Sequence, residues 1–536
     1  MSEQSYIPVI ILKEGSSERE EDEVRSFILG ASEVINEAVS SMLGPNGKFK
    51  LIMDTFGDVT ITSSGATALE EVEVEHPAAK VLVDTAKAVN KDVGDGVTST
   101  IILATELVNK ANELIQKGIH PSIICEGYEK AFKYAQEALE RNAFKINYNE
   151  RKNLLSVAKT AITSFTSIED AEYLAELAVE AVTRVLEEGK LDTDRIKIDK
   201  KSGGTLRDTL FIEGVALDKE IVHAAMPKLI KNPKIALLDT SLEVRKTEYD
   251  EKLKFKDPTM LRSFIRKEQD TMREMVDKIK ATGANVVLCQ KGIDDFVQYL
   301  LSKEGIAAVR RIKKSDMEKL EIATGGKIVT NLDELSQEFL GNAELFEERK
   351  LGDEKWVFII SGKKSKSVNI IVRGDNDKIV SEAERSIKKA IKALEAVFED
   401  PRVVSGAGAI EIELARELRD RSTREEGRVQ YAIEAFADAL ERIPANIARN
   451  SGKDPEEVLS TLRSEHTKGR TEYGVGALSE ELVVNAKELG ILDPLKIKKR
   501  VLSAATETAV SLLRIDRITA AAKFKPSEGK KEGQEY

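Results

Sequence analysis

The chain has 536 residues, 41% hydrophobic and 33% charged, with 82 Lys+Arg against 93 Asp+Glu and a formal charge of −11. That length exceeds one hydrophobic core and predicts two to four domains, and the acidic balance argues against nucleic acid as a partner. No apolar run reaches the ~20 residues of a membrane span, the N-terminus lacks a secretory h-region, and Cys125 and Cys289 stand in unrelated contexts, so a cytoplasmic protein is expected. The four histidines, His76, His120, His223 and His466, are too scattered to suggest zinc. Both charge signs interleave, as in RKEQDTMREMVDKIKATG, which suits long solvated helices and resembles thermophile composition.

In chain order, Val24, Phe27, Ile28, Ala31, Val34, Ile35, Ala38 and Val39 predict a helix over 17–42. Gly44 and Pro45 stop it, and Asn46-Gly47 favours a turn. KLIMD and DVTIT read as strands, and TITSSGAT (60–67) passes from strand through two serines and a glycine into helix. Pro77 opens a helix to about Asn90, GDG at 94–96 breaks it, and another helix runs from Val97 to about Lys117. After about 200, short strands such as LFIEGVALD, KIALLDTSLEV and ANVVLCQKG interleave with helices as in an α/β layer. Asp257-Pro258 caps a helix to about Lys280. Helix returns from about 376 to 400, and VVSGAGAIEIELARELRD opens another from a glycine loop. The remainder is helical apart from YGVGALSEELV, and FKPSEGKKEGQEY is expected to be a disordered tail. Helical ends around an α/β middle predict a multidomain α plus α/β protein with an inserted domain.

Three glycine loops, 43–48, 94–100 and 405–409, each sit at a helix terminus, where unsatisfied N–H groups and the helix dipole favour an anion. In GDGVTST, Asp95 can hold Mg²⁺, Gly96 lets the backbone approach a phosphate, and Thr98 and Ser99 offer hydroxyls. The plainer alternative is turn glycines with capping residues. No GxxxxGK[ST] is present, so a Walker-type NTPase is excluded.

The combination is more specific than any single loop. LGPNGKFKLIMD, GDVTITSSGATALEEVEVEHPAAK, VGDGVTST, VVSGAGAIEIEL and LGILDPLKIKKRVLSAATETAVSLLRID, in this order and at these separations, resemble the group II chaperonins. The resemblance covers nearly the whole chain, and the charge-rich composition favours the archaeal branch. It implies a helical equatorial domain over about 1–149 and 402–536, an intermediate domain over 150–217 and 367–401, and an α/β apical domain over 218–366. A protruding built-in lid is expected at about 245–275. It further implies stacked rings of related subunits that enclose non-native protein, with ATP, ADP and Mg²⁺ as ligands.

Carried over by motif, Leu43, Gly44, Pro45 and Gly47 match the family's LGPxG phosphate loop. Asp95 matches its magnesium-binding acid, and Gly96, Thr98 and Ser99 match its phosphate contacts. Gly406, Ala407 and Gly408 fall on the family's GGG, and Asp493 on the acid that contacts the ribose. Two departures concern hydrolysis. The family's ITNDGAT aspartate is Ser64 here, and the aspartate of its SLHDAL is Lys389. A hydroxyl residue usual before LGP is Met42, and the first threonine of GDGTT is Val97. The expected consequence is a subunit that binds ATP and hydrolyses it poorly. One alternative is a competent ATPase in which Asp92 or Glu384 substitutes; another is a ring- or filament-forming scaffold without folding activity. Leu253, Phe255, Met260, Leu261, Phe264 and Ile265 form a candidate patch for clients or lid closure.

Overall fold

A computed structural model describes residues 17–19, 21–54, 57–72, 74–162, 168–187, 189–243, 258–362 and 365–520. Leu253, Phe255 and the polar tail lie outside the described residues. Two compact units emerge: Met1–Phe144 with Val403–Tyr536, and Lys145–Arg402.

The first unit is mainly helical. Its long helices are Glu21–Ser40, Pro77–Val93, Val97–Gln116, Pro121–Asn142, Ala409–Ser422, Val429–Asn450, Pro455–Thr467 and Leu495–Leu513. Pro77, Pro121 and Pro455 stand in the first turn, where a missing N–H costs nothing, behind the caps His76, His120 and Asp454. Two of the scattered histidines are therefore helix caps. Val97–Gln116 is central, with Ile101, Ile102, Leu103, Ala104, Leu107 and Ala111 fully buried, so its apolar surface runs almost all round. Gly127 lets Pro121–Asn142 approach Val429–Asn450 closely, since a Cβ there would collide with Ala432.

One expectation changes at the start. Residues Ser17–Arg19 form a strand, not helix, pairing antiparallel with Ile518–Ala520. Pairing between distant segments overrides a local periodicity that only becomes regular from Val24. A second antiparallel pair, Lys50–Met53 with Val59–Thr62, leads into the serines at 63 and 64.

The second unit mixes helix and sheet. A parallel core of Ala307–Val309, Val286–Cys289, Lys234–Leu238 and Ile328–Val329 is buried on both faces, as its continuous apolar runs require. Four antiparallel strands, Gly214–Leu217, Glu354–Ile360, Leu345–Leu351 and Leu229–Lys231, form another sheet. LFIEGVALD divides into Leu210–Ile212 and Gly214–Leu217, because Gly214 passes so close to Ile359 O that a Cβ would not fit. Val368–Gly374 pairs parallel with Ile196–Ser202 and antiparallel with Leu210–Ile212. Helices Arg151–Ile162, Ile168–Val185 and Asp377–Glu399 pack on one another, the last also against Ile196–Ser202. The molecule is a multidomain α and α/β protein. Among the described residues, no helix is long and apolar enough to cross a membrane.

Candidate functional site

The three glycine loops converge within the helical unit. Gly44, at φ +87°, faces Ile447, and Gly408, at φ +80°, faces Pro444 so closely that a Cβ would lie 2.6 Å from it. Pro444 and Ile447 are three residues apart on one helix, so a single face of Val429–Asn450 supports both loops. Gly47 closes its turn through an N–H donated to Gly44 O (3.0 Å), and a Cβ there would strike Met42 O. Asn450 Nδ2 donates to Ser40 O and Leu43 O at 2.9 and 2.8 Å, holding the helix end that presents Leu43 and Pro45. Asn46 Nδ2 reaches Ala477 O (3.0 Å), while Val475 N donates to Ala407 O (2.8 Å). The 473–477 segment thus touches both loops.

The GDG loop joins through the helix Leu495–Leu513. Gly96, at φ +78°, begins Val97–Gln116 with no side-chain cap, and a Cβ there would meet Val501 at 2.6 Å and Ile497 at 3.1 Å. Gly96 N donates to Asp95 Oδ1 at 2.6 Å. Thr98 and Ser99 are half-buried, and Thr98 Oγ1 packs where a Cβ on Gly65 would be. That contact brings Ser64 beside the loop. Ser64 caps the six-residue helix Gly65–Glu70, accepting from Thr67 N at 3.4 Å. Met42 and Val97 are both buried, at 2% and 5% exposure, so the apolar replacements sit in core surroundings.

Asp493 is held by partners that sequence reasoning did not single out. Lys498 Nζ lies 2.9 Å from Asp493 Oδ2 and 2.7 Å from Glu411 Oε1. Burial opposes a charge on Lys498, but the two carboxylates outweigh it and hold its pKa above the ordinary lysine value. Lys498 and Glu411 resemble surface charges in LDPLKIKKR and AIEIELARE; only the fold makes them a pair. Lys453 is another such residue, donating to Gly476 O and Ser479 O at 2.6 and 2.9 Å and fixing the turn after Val475.

The cradle fits a magnesium nucleotide. Gly96 and Gly408 each open a long helix without a side-chain cap, leaving N–H groups for phosphate oxygens. Asp95, whose Oδ1 accepts from Gly96 N, would offer a carboxylate oxygen to a magnesium ion otherwise held by phosphate and water. A cavity of about 310 Å³ lined by Ile28, Val108, Cys125, Leu512 and Arg514 includes none of these residues.

The other predicted positions lie elsewhere. Lys389 is half-buried on Asp377–Glu399, in the second unit. Glu384 is engaged by Lys388 (2.6 Å) and Lys200 (3.2 Å). Asp92 Oδ2 is 2.8 Å from Arg500 Nε, an ion pair whose angle misses a hydrogen bond. Both alternative acids are therefore already paired with cations. Met260, Leu261 and Phe264 fall on the backbone of Pro258–Ala281, and Ile265 is 43% exposed there. Cys289 is buried and donates to Thr240 O (3.2 Å), and His223 Nδ1 accepts from Ala225 N (3.2 Å), both structural roles.

The profile of the TCP-1/cpn60 chaperonin family matches residues 35–523. The chain is 47% identical over 535 residues to thermosome subunit alpha of Archaeoglobus fulgidus, covering 98% of each chain. It is 47% identical to the thermosome subunit of Methanopyrus kandleri, over 96% of this chain and 95% of that one. It is 44% identical to thermosome subunit alpha of Thermoplasma acidophilum, over 98% and 96%. The chain therefore belongs to the TCP-1/cpn60 chaperonin family, as a group II chaperonin.

Proposed function

We propose that this chain is an ATP-binding subunit of a stacked double-ring chaperonin that encloses non-native proteins. In this reading it binds ATP with Mg²⁺ but hydrolyses it slowly, as a structural or regulatory member of a mixed ring in the cytoplasm. Residues 1–149 and 402–536 are the equatorial domain, 150–217 and 367–401 the intermediate domain, and 218–366 the apical domain with a lid at about 245–275. Leu43, Gly44, Pro45, Gly47, Gly96, Thr98, Ser99 and Gly406 to Gly408 face the phosphates, Asp95 faces the metal, and Asp493 faces the ribose.

The observation that carries slow hydrolysis is at position 64. The Ser64 hydroxyl is engaged in capping, and the helix behind it has no acid in its first turn. A serine hydroxyl is a poor base near neutral pH, and Lys389 supplies no carboxylate where the family's second aspartate stands. Losing a positioned general base costs ~10²–10⁴-fold. The test is phosphate release from rings that combine this subunit with a partner stripped of its catalytic aspartates, with nucleotide occupancy read from the same sample. Occupied sites with almost no release are expected; brisk turnover would leave a competent ATPase.

A further inference from the structure

Lys498 lies at the junction of the two elements that carry the proposed ribose contact and the third glycine loop. It occupies the first turn of Leu495–Leu513, immediately after Asp493 and Pro494, while Glu411 is in the first turn of Ala409–Ser422, immediately after Gly408. The strands beneath are paired, Val404 opposite Asp493, and Gly406 N donates to Ile491 O at 2.9 Å. Gly406 also makes room for the acid, since a Cβ there would stand 3.1 Å from Asp493 Oδ2.

Burial divides the three charged groups by task. The side chains of Glu411 and Lys498 are 4% and 13% exposed, whereas that of Asp493 is 23% exposed. Asp493 is the outward member; the other two stand behind it. One lysine bridges two carboxylates, so Asp493 Oδ2 is fixed from behind and rotation of the carboxylate is restrained. Glu411 Oε2 is buried without a hydrogen-bond partner, so Lys498 is the cation that keeps this acid tolerable in place.

We propose that Lys498, backed by Glu411, is a positioning residue that orients the Asp493 carboxylate and thereby makes the site selective for an intact ribose over a deoxyribose. The inference rests on the reading of Asp493 as the ribose contact. A hydroxyl donating to a fixed, charged acceptor is worth far more than one donating to a carboxylate free to turn toward solvent.

The test is calorimetric binding of ADP, 2′-deoxy-ADP and 3′-deoxy-ADP with Mg²⁺ to the full-length assembled protein. The wild type should bind the analogue lacking the contacted hydroxyl about tenfold more weakly or worse. In K498M that ratio should fall at least about threefold, with ADP itself still bound. K498M leaves the buried Glu411 and the partly exposed Asp493 without their shared cation, so E411Q/K498M is measured beside it; it removes one charge of each sign. This double variant should recover the melting temperature lost in K498M while selectivity stays lost. Wild-type selectivity in a folded, ADP-binding E411Q/K498M would overturn the positioning role alone. So would a wild type that binds ADP without discriminating. A wild type that fails to bind ADP would overturn the nucleotide reading, and this inference with it.

Discussion

Ala407 holds a φ of +54°, a left-handed conformation that costs a residue with a Cβ roughly 1–2 kcal/mol. Its carbonyl is fixed by Val475 N, so the loop cannot relax without losing that bond. Replacing Ala407 by Gly removes the strain but adds freedom to the unfolded chain. A net stabilisation of about 0.5–1 kcal/mol is therefore expected in denaturant titrations, with the loop geometry unchanged. Position 64 offers a functional counterpart. If a missing base limits turnover, S64D combined with K389D should raise phosphate release by ~10²-fold or more, and either single change should give only part of that gain. No increase in the double variant would place the limitation elsewhere. Both residues stand out in the sequence because a motif surrounds them. Lys498 and Asn450 do not, because the pairings with Glu411 and Ser40 span 87 and 410 residues.

At the scale of elements, the Ala409–Ser422 and Pro455–Thr467 helices are joined by a buried pair that also anchors the strand Tyr473–Val475. His466 Nδ1 lies 2.9 Å from Glu413 Oε2, and its Nε2 lies 2.8 Å from Tyr473 O. Arg416 reaches the other Glu413 oxygen at 2.6 Å. Burial alone would raise the Glu413 pKa, but the hydrogen bonds from His466 and Arg416 outweigh it and hold it below its ordinary 4.5. A depressed carboxylate contributes stability above its unfolded pKa and loses it as pH falls through the folded value. The melting temperature should therefore lose this contribution only on acidification below about 4.5. Glu413→Gln should be less stable near pH 7 by roughly 1.5–3 kcal/mol, the worth of hydrogen bonds to a charged group, and should lose less than the wild type between pH 5 and 3. Parallel acid profiles for the two proteins would refute the assignment. Helix starts were legible where a proline and an apolar period agree, as at Pro77. The strand Ser17–Arg19 was not, since three residues carry no period and their partner lies some five hundred residues on.

For the whole molecule, chain continuity and compactness run at odds: Lys145–Arg402 is one unbroken segment, while the other unit is assembled from both ends of the chain. The inserted segment carries its own core, in which Leu237, Val287, Leu288, Ala308 and Val357 are fully buried. Expressed alone, residues 145–402 should fold and melt cooperatively, whereas residues 1–144 alone should not. Circular dichroism melts of the two fragments distinguish these outcomes, and a molten 145–402 fragment would show that its core depends on the other unit. By itself the sequence determined the family, the order of helical and α/β regions, and the glycine loops, because these rest on local backbone preferences and ordered motifs. The tertiary structure decided which residues support those loops. Only folding sets Pro444 and Ile447 under two of them, Ile497 and Val501 against the third, and Lys498 between Asp493 and Glu411. Close approach and charge pairing between distant segments leave no periodic trace along the chain.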